Sequence, residues 1–200
     1  MISGGSTDGD SNRARKSWSK REVLGIEAWR PDAYPVITFG PEDLEGVCLP
    51  HNNALLIQAQ VANYDIRMVF VDSGSSVNVI FQDAFAQMDL RECEINPVKT
   101  SLHGFSRHTI RPKGEVRLPI TLGLGDSKKT VMALFTVVEA PSSYNIILGR
   151  PALNAFRAVA SAYHQKIKFP VGDRVGEVKG DQHSSRRCYA DTIRGNNKRA

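Results

Sequence analysis

The chain has 200 residues, of which 41% are hydrophobic and 24% charged, and its formal net charge is +5. This length accommodates one ordinary domain with flanking segments and is too short for two full lobes with additional segments. No apolar run reaches the roughly 18 residues that a membrane-spanning helix needs, and the N-terminus is polar where a signal peptide would be apolar. We therefore expect a soluble, cytoplasmic protein without a membrane partner, with nuclear entry left open.

The positive charge lies at the ends of the chain. Residues 31–163 carry 11 Lys and Arg against 13 Asp and Glu, whereas residues 164–200 carry 9 against 4. Such a basic C-terminal segment could make weak contact with nucleic acid through phosphates. A solvated linker is the favoured interpretation, because residues 179–200 have no aromatic residue other than Tyr189 and no zinc-finger spacing of Cys and His.

Cysteine and histidine spacing predicts neither disulfides nor a metal site. Cys48, Cys93 and Cys188 are odd in number and widely separated, which is typical of reduced thiols in an intracellular protein. His103 and His108 lack companion carboxylates or cysteines, so no metal is expected. No cofactor is expected either.

In chain order, residues 1–34 are predicted to be a disordered leader or linker, because the first 20 of them are rich in Gly, Ser, Asp and Asn and can bury little apolar surface. A single domain is predicted over residues 35–170. Its first strands are expected at Val36–Phe39, Leu55–Val61 and Arg67–Val71. The segment between the last two has the turn chemistry of a hairpin.

After a turn at Asp72, the alternating run Val77–Phe81 predicts a strand and Gln82–Leu90 a short helix. A hairpin centred on Gly104 follows. Further strands are expected over residues 114–122, 131–138 and 144–149, then a short helix from residue 151 and a last strand at 163–169. Many short strands of this kind are typical of an all-β domain with one or two short helices. Residues 171–200 are predicted to be a basic tail or linker.

The strand before Asp72 ends in a carboxylate on a tight turn, Asp72-Ser73-Gly74-Ser75. Gly74 permits the sharp reversal, and the hydroxyls of Ser73 and Ser75 can hydrogen-bond the turn or the carboxylate. The pattern has two interpretations: an Asx-turn that closes a strand, or a catalytic aspartate that projects from a sheet.

A second apolar run, Tyr144–Arg150, starts about 70 residues after Asp72 and leads into a short helical pattern. Together the two runs resemble the retroviral-type aspartic proteases, in which the strand bearing Asp-Ser/Thr-Gly is crossed by an Ile-Ile-Leu-Gly-Arg-like strand leading into a helix. More closely, the chain resembles the protease segment of plant Ty3/gypsy-type retrotransposon (gag-pol) polyproteins over roughly residues 31–189. The residues that carry the closer resemblance are Tyr34–Phe39, Glu42–Val47, His51–Leu55, Asp72–Ser76, Ile147–Pro151 and Asn154–Ala158.

This resemblance implies a retropepsin-like (acid protease), closed β-barrel-like fold and an aspartic endopeptidase, a hydrolase that cleaves the peptide bonds of a polyprotein. It implies that Asp72 is the catalytic residue and that Ser73, Gly74 and Ser75 form the active-site turn. The hairpin with Gly104 and Phe105 corresponds to the flap that closes over the peptide substrate.

Peptide hydrolysis by carboxylates needs two of them around one water, one ionised and one protonated. The chain has one Asp-Ser-Gly, so the second carboxylate would come from another copy in a homodimer with the site on its two-fold axis. We expect the Ser75 hydroxyl to hydrogen-bond the carboxylate and lower its pKa. We also expect residues 164–169 to contribute to the dimer interface, as terminal strands do in this family, because Ile167 and Phe169 would otherwise lie on an exposed edge.

Two other functions compete with this one. A catalytically idle remnant could keep the fold as a dimerising or peptide-binding module. The Asp-x-Gly-Ser turn also resembles the phosphate loop of actin-like ATPases and sugar kinases, but that fold needs a second phosphate loop and far more than 200 residues. A serine nucleophile is not indicated, because the sequence Gly-x-Ser-x-Gly is absent.

Overall fold

The computed structural model describes residues 34–88, 90, 95–97, 102–103 and 109–188, with residues 102, 103, 109 and 110 described by their backbone alone. The compact unit that contains the strands begins at Pro35. Among the described residues, none of the helices has the length and apolar content that a membrane-spanning helix needs.

The domain consists of short strands with a few helical segments. The strands are β1 (Leu56–Val61), β2 (Tyr64–Val71), β3 (Asn78–Phe81), β4 (Leu102–His103), β5 (Thr109–Ile110), β6 (Gly114–Leu122), β7 (Lys129–Val138), β8 (Ile146–Leu148), β9 (Val159–Ser161), β10 (Lys166–Val171) and β11 (Arg174–Lys179). The helices are α1 (Gln82–Gln87), α2 (Arg150–Phe156) and α3 (residues 182–188), and single 3-10 turns cover Pro41–Leu44 and Gly125–Ser127.

Six of the strands close into a barrel in the order β1-β2-β8-β3-β7-β6. Most neighbours are antiparallel, but β2 with β8 and β3 with β7 run parallel. The barrel closes where β1 meets β6 through two residue pairs, Gln60 with Thr121 and Val61 with Ile120. The predicted all-β architecture, a closed barrel with a few short helices, is confirmed.

Alternation of apolar and polar residues directs one face of β6 into the barrel. In β6, Val116, Leu118, Ile120 and Leu122 are buried at every second position, and Arg117 between them is exposed. Burial of one such side chain contributes about 1.5–3 kcal/mol. Because the side chains of a strand alternate with a period of two, this pattern predicts the bounds of β6 correctly.

The last predicted strand corresponds to β10, which is the central strand of an antiparallel sheet in the order β11-β10-β9. Ile167 and Phe169 are fully buried, and the Phe169 ring packs on Phe156 of α2 with centroids 5.8 Å apart. The reason for expecting residues 164–169 at a dimer interface, that Ile167 and Phe169 would otherwise lie on an exposed edge, is therefore wrong. A turn at Gly172 returns the chain as β11 along one side of β10, and β9 occupies the other side.

Regular structure continues beyond the predicted domain boundary at residue 170. β11 pairs with β10 along six residue pairs, and in α3 the side chains of Ser185 and Cys188 are buried. Asp181 precedes α3 and accepts hydrogen bonds from the hydroxyl and the N–H of Ser184, which hold the pKa of Asp181 below its ordinary value. Residues 171–188 therefore belong to the packed domain and do not form a tail.

An ion-pair cluster attaches the segment before β1 to the three-stranded sheet. The strand predicted at Val36–Phe39 is absent, because these residues have no strand assignment. Within this segment, the Thr38 carbonyl accepts a hydrogen bond from the Lys168 ammonium (2.9 Å). Asp43, 3% exposed, contacts the ammonium groups of Lys166 at 2.6 Å and Lys168 at 2.7 Å. Their hydrogen bonds hold the pKa of Asp43 well below its ordinary range.

Candidate active site

Asp72 lies directly after β2, where the chain leaves the barrel. Its backbone N–H donates to the carbonyl of Leu148 on the parallel neighbour β8 (3.0 Å), and its carbonyl accepts from the Ser75 N–H (3.2 Å). The Gly74 N–H donates to the carboxylate oxygen Oδ1 (2.9 Å). The turn is thus an Asx-turn, and it fixes the orientation of a half-buried carboxylate.

One oxygen of the Asp72 carboxylate is available for chemistry. Among the residues that the structure describes, the Gly74 N–H is the single hydrogen-bond donor to this side chain. The neighbouring Ser73 and Gly74 are exposed. An ionised carboxylate accepts hydrogen bonds at both oxygens, and no described residue donates to Oδ2, which can therefore accept a hydrogen bond from a water or bind a proton.

The Ser75 hydroxyl does not contact this carboxylate. It donates to the carbonyl of Val77, two residues along the chain, at 2.8 Å. Serine hydroxyls commonly form such local bonds to the backbone. The expectation that the Ser75 hydroxyl hydrogen-bonds the Asp72 carboxylate is therefore wrong, and the hydroxyl instead stabilises the loop that leads into β3.

Asn78 belongs to this site although no motif indicated it. It begins β3 and is 1% exposed. Its Nδ2 donates to the carbonyl of Leu134 on β7 (2.9 Å), and its Oδ1 accepts from the N–H groups of Gly149 (3.0 Å) and Ala152 (3.3 Å) at the start of α2. The available signal was an amide within the apolar run Val77–Phe81, because a buried polar side chain needs partners.

Gly149 permits close contact between the loop after Asp72 and the start of α2. A Cβ atom at this position would lie 2.2 Å from the carbonyl oxygen of Val77 and 3.0 Å from that of Ser75. The N–H of Arg150 donates to the same Ser75 oxygen (3.0 Å), and the Arg150 side chain is exposed. The two apolar runs that the sequence pairs are thus in direct contact.

Apolar side chains lie on the face of β2 opposite to the core. Successive strand residues point to opposite faces, so Phe70 points away from the core that contains its neighbour Val71. Phe70 is paired with Ile147 on β8 and stacks on Tyr144 with centroids 5.0 Å apart. Burial raises the pKa of the Tyr144 hydroxyl. We call Phe70, Tyr144 and Ile147 the Phe70 patch.

The predicted flap residues, Gly104 and Phe105, lie outside the described residues. On either side of them, β4 and β5 pair antiparallel, Leu102 with Ile110 and His103 with Thr109. A cleft of about 740 Å³ opens elsewhere, between β1, β11 and the turn after β6, and Asp72 does not line it.

No protein-family model matches the chain, and no curated protein matches it. Among solved structures, it is similar to the retroviral protease-like domain of Ddi1 from Leishmania major, with 14% identity and a TM-score of 0.49 over 66% of this chain and 96% of that one. It is similar to EIAV protease complexed with the inhibitor HBY-793, with 16% identity and a TM-score of 0.42 over 57% and 99%. A retropepsin-like aspartic protease from Rickettsia conorii has 15% identity and a TM-score of 0.42 over 61% and 83%. These structural neighbours are retropepsin-like aspartic protease domains.

Proposed function

We propose that this protein is an aspartic endopeptidase of retroelement type that acts as a homodimer. The observation that carries the proposal is the Asp72 turn. Its carboxylate stands at the end of a barrel strand, accepts the N–H of Gly74, and keeps one oxygen free of hydrogen bonds from the described residues, while the Asp72 backbone N–H donates to the carbonyl of Leu148. A general acid or base needs a fixed orientation together with access to the reacting group.

In the proposed dimer each subunit supplies one Asp72 carboxylate. Two carboxylates a few ångströms apart cannot both be ionised, so the pair shares a proton. The ionised member takes a proton from the water that attacks the scissile carbonyl carbon, and the protonated member donates to the carbonyl oxygen. The tetrahedral intermediate then breaks its C–N bond as a proton passes to the leaving amine.

For the dimer contact we propose β9. This strand lies at the edge of its sheet, with β10 on one side, and its Val159 side chain is 48% exposed. An unpaired strand edge is a template for pairing with another chain. β10, which contains most of the predicted interface at residues 164–169, is paired on both sides within the chain.

The Phe70 patch supports peptide substrates with apolar side chains beside the scissile bond, because it offers half-buried apolar surface on the strand that leads to Asp72. For a retroelement enzyme the substrate is its own gag-pol polyprotein. The assignment to a plant Ty3/gypsy-type retrotransposon rests on the sequence resemblance alone. A cytoplasmic location and weak nucleic-acid contact through the basic residues of the C-terminal segment 171–200 stay predictions.

Replacing the proposed catalytic carboxyl tests this function. Wild-type protein should cleave members of a peptide library at mildly acidic pH, as detected by mass spectrometry, and pepstatin should inhibit it. Asp72→Asn should abolish cleavage, because an amide can neither accept nor donate the reacting proton. The matched control is Asp65→Asn, which removes an exposed carboxyl from β2, the strand that precedes Asp72, and should leave cleavage unchanged.

Mixing and dilution test the stoichiometry. Excess Asp72→Asn protein should inhibit the wild type, because exchanged heterodimers hold one carboxylate where two are needed, and specific activity should fall on dilution. Activity that is independent of concentration and indifferent to the variant would contradict the dimeric mechanism. A wild-type dimer that binds peptides without cleaving them would favour the idle module instead.

A further inference from the structure

We infer that Asn78 is a positioning residue that holds the Asp72 turn against the start of α2, an inference that rests on the proposed function. The amide of Asn78 joins three elements in the interior of the protein. It donates to β7 at the Leu134 carbonyl and accepts from α2 at the N–H groups of Gly149 and Ala152. With 1% of its surface exposed, it has no access to bulk water that could replace these partners.

The link reaches Asp72 through the backbone on either side of Gly149. Leu148, the residue before, accepts the Asp72 N–H at 3.0 Å. Arg150, the residue after, donates its N–H to the Ser75 carbonyl at 3.0 Å. Both ends of the turn are therefore bonded to neighbours of the residue that Asn78 holds. A displacement of Gly149 would move the Asp72 carboxylate relative to its partner in the dimer.

An amide suits this position, because the Leu134 carbonyl needs a donor and the two N–H groups need an acceptor with two lone pairs. Leucine has a similar volume but donates nothing to the Leu134 carbonyl and accepts from neither N–H group. An ionised carboxylate keeps the two acceptor bonds but repels the Leu134 carbonyl. A protonated carboxyl can replace all three bonds, since its O–H donates where the amide N–H did.

Two substitutions separate positioning from packing. Asn78→Leu should lower kcat on the order of 10- to 100-fold at every pH, because small displacements of a catalytic group have effects of this size, while KM changes little. Asn78→Asp should have a kcat close to wild type in acid, where the new carboxyl is protonated, and the ratio of its kcat to that of the wild type should fall as the pH rises. Both variants are assayed at the pH values at which circular dichroism shows them to be folded.

The control for this test is Gln165→Glu. Gln165, in the turn between β9 and β10, is another buried amide, 3% exposed, whose Nε2 donates to the carbonyls of Asn53 before β1 (3.1 Å) and Ala162 in the same turn (2.8 Å). Like Asn78→Asp, this substitution replaces a buried amide by a carboxyl group, but at a position outside the Asp72 turn. Its kcat ratio to wild type should not vary with pH in the folded protein. An equal fall in both variants would show that the effect follows general destabilisation and would overturn the inference.

Amide hydrogen exchange measured by NMR provides a readout that does not depend on activity. In Asn78→Leu, exchange should accelerate at Gly149 and Ala152 and also at Arg150 and Gly74 of the adjoining turn. Faster exchange confined to Gly149 and Ala152 would overturn the positioning role, as would an unchanged kcat. If the wild type cleaves nothing, the proposed function fails, and the exchange pattern still decides whether Asn78 holds the Asp72 turn.

Discussion

Asp43 shows how one buried carboxylate can attach a segment that pairs with no strand in the part of the chain that the structure describes. Its Oδ2 accepts the Gly40 N–H at 2.9 Å, and both oxygens face the lysines of β10. Burial by itself lowers the pKa of Lys166, but hydrogen bonds to Asp43 and Glu177 outweigh it and raise that pKa. The cluster therefore stays charged over a wide pH range, which includes the acidic conditions proposed for catalysis.

Asp43→Asn should lower the free energy of unfolding by about 3–5 kcal/mol at neutral pH, because it removes the carboxylate that two largely buried lysines share and leaves Lys166 with Glu177 as its acidic partner. Asp43 has a depressed folded pKa, so its contribution is complete above the unfolded pKa of about 3.9 and is lost as the pH falls through the folded pKa. Lys166 has a raised folded pKa, so its contribution is complete below the unfolded pKa of about 10.4 and is lost as the pH rises through the folded pKa. The difference between variant and wild type should therefore be constant from about pH 5 to 9 and shrink in stronger acid.

Urea unfolding at a series of pH values measures this difference. Asp126→Asn, which alters an exposed carboxyl, is the control and should change stability by no more than about 0.5 kcal/mol. A difference for Asp43→Asn that disappears already between about pH 5 and 6 would contradict the lowered pKa of Asp43.

Single residues of the site differ in how far local sequence predicts them. Gly74 follows directly from the need for a sharp turn after Asp72, and the structure has that turn. Ser75 has two possible acceptors, the Asp72 carboxylate and the Val77 carbonyl, and the second takes its hydroxyl. Asn78 stands out only as an amide among apolar residues. Its partner Gly149 is 71 residues away, and no local pattern identifies it.

Among the strands, β9 has the weakest sequence signal. It has three residues, Val159–Ser161, and none of them is buried. It lacks the alternation that predicts β6, and it exists because β10 offers a neighbouring edge. By contrast, Val36–Phe39 has the composition of a strand but no strand partner among the described residues. There Phe39 stacks on His164 with centroids 5.2 Å apart.

Val159→Lys should weaken the dimer and leave the fold intact. A lysine on an edge strand opposes pairing with another chain, and Val159 is 48% exposed, so the stability of the subunit should change by no more than about 0.5 kcal/mol. Sedimentation velocity should show a shift toward monomer, and activity should be lost at higher protein concentration than in the wild type.

Met132→Lys provides the matched control, because Met132 is a 53% exposed apolar residue on β7 of the barrel. It should dimerise as the wild type does. If both variants dissociate alike, or if Val159→Lys remains a dimer, the contact does not lie at β9.

At the scale of the whole molecule, the three-stranded sheet and the barrel share one hydrophobic core. Ile167 and Phe169 of β10 belong to the same buried cluster as Val61 and Leu148 of the barrel. The domain therefore depends on residues that follow the barrel in the chain. This dependence is why the boundary at residue 170 divides a hairpin whose strands pair along their full length.

A chain that ends at Ala162 should not fold, because it lacks β10 and β11. Loss of Ile167 and Phe169 alone removes about 1.5–3 kcal/mol for each buried side chain, which is a large part of the 5–15 kcal/mol that typically stabilises a domain. Circular dichroism should show no cooperative thermal transition for the truncated chain, whereas full-length Val159→Lys should retain one. A folded truncated monomer would contradict the shared core.

Local patterns along the chain predict the barrel strand β6, the turn at Asp72 and the short helix after Gly149, because periodicity and turn chemistry depend on residues close in sequence. The folded chain determines the partners that these patterns leave open: β11 and β9 beside β10, and α2 for the Asn78 amide, whose acceptor bond to Gly149 spans 71 residues. Each of these contacts depends on which donor, acceptor or strand edge another segment brings within reach. The fold as a whole determines these partners, because a buried polar group must form its hydrogen bonds with the groups that lie next to it in the core.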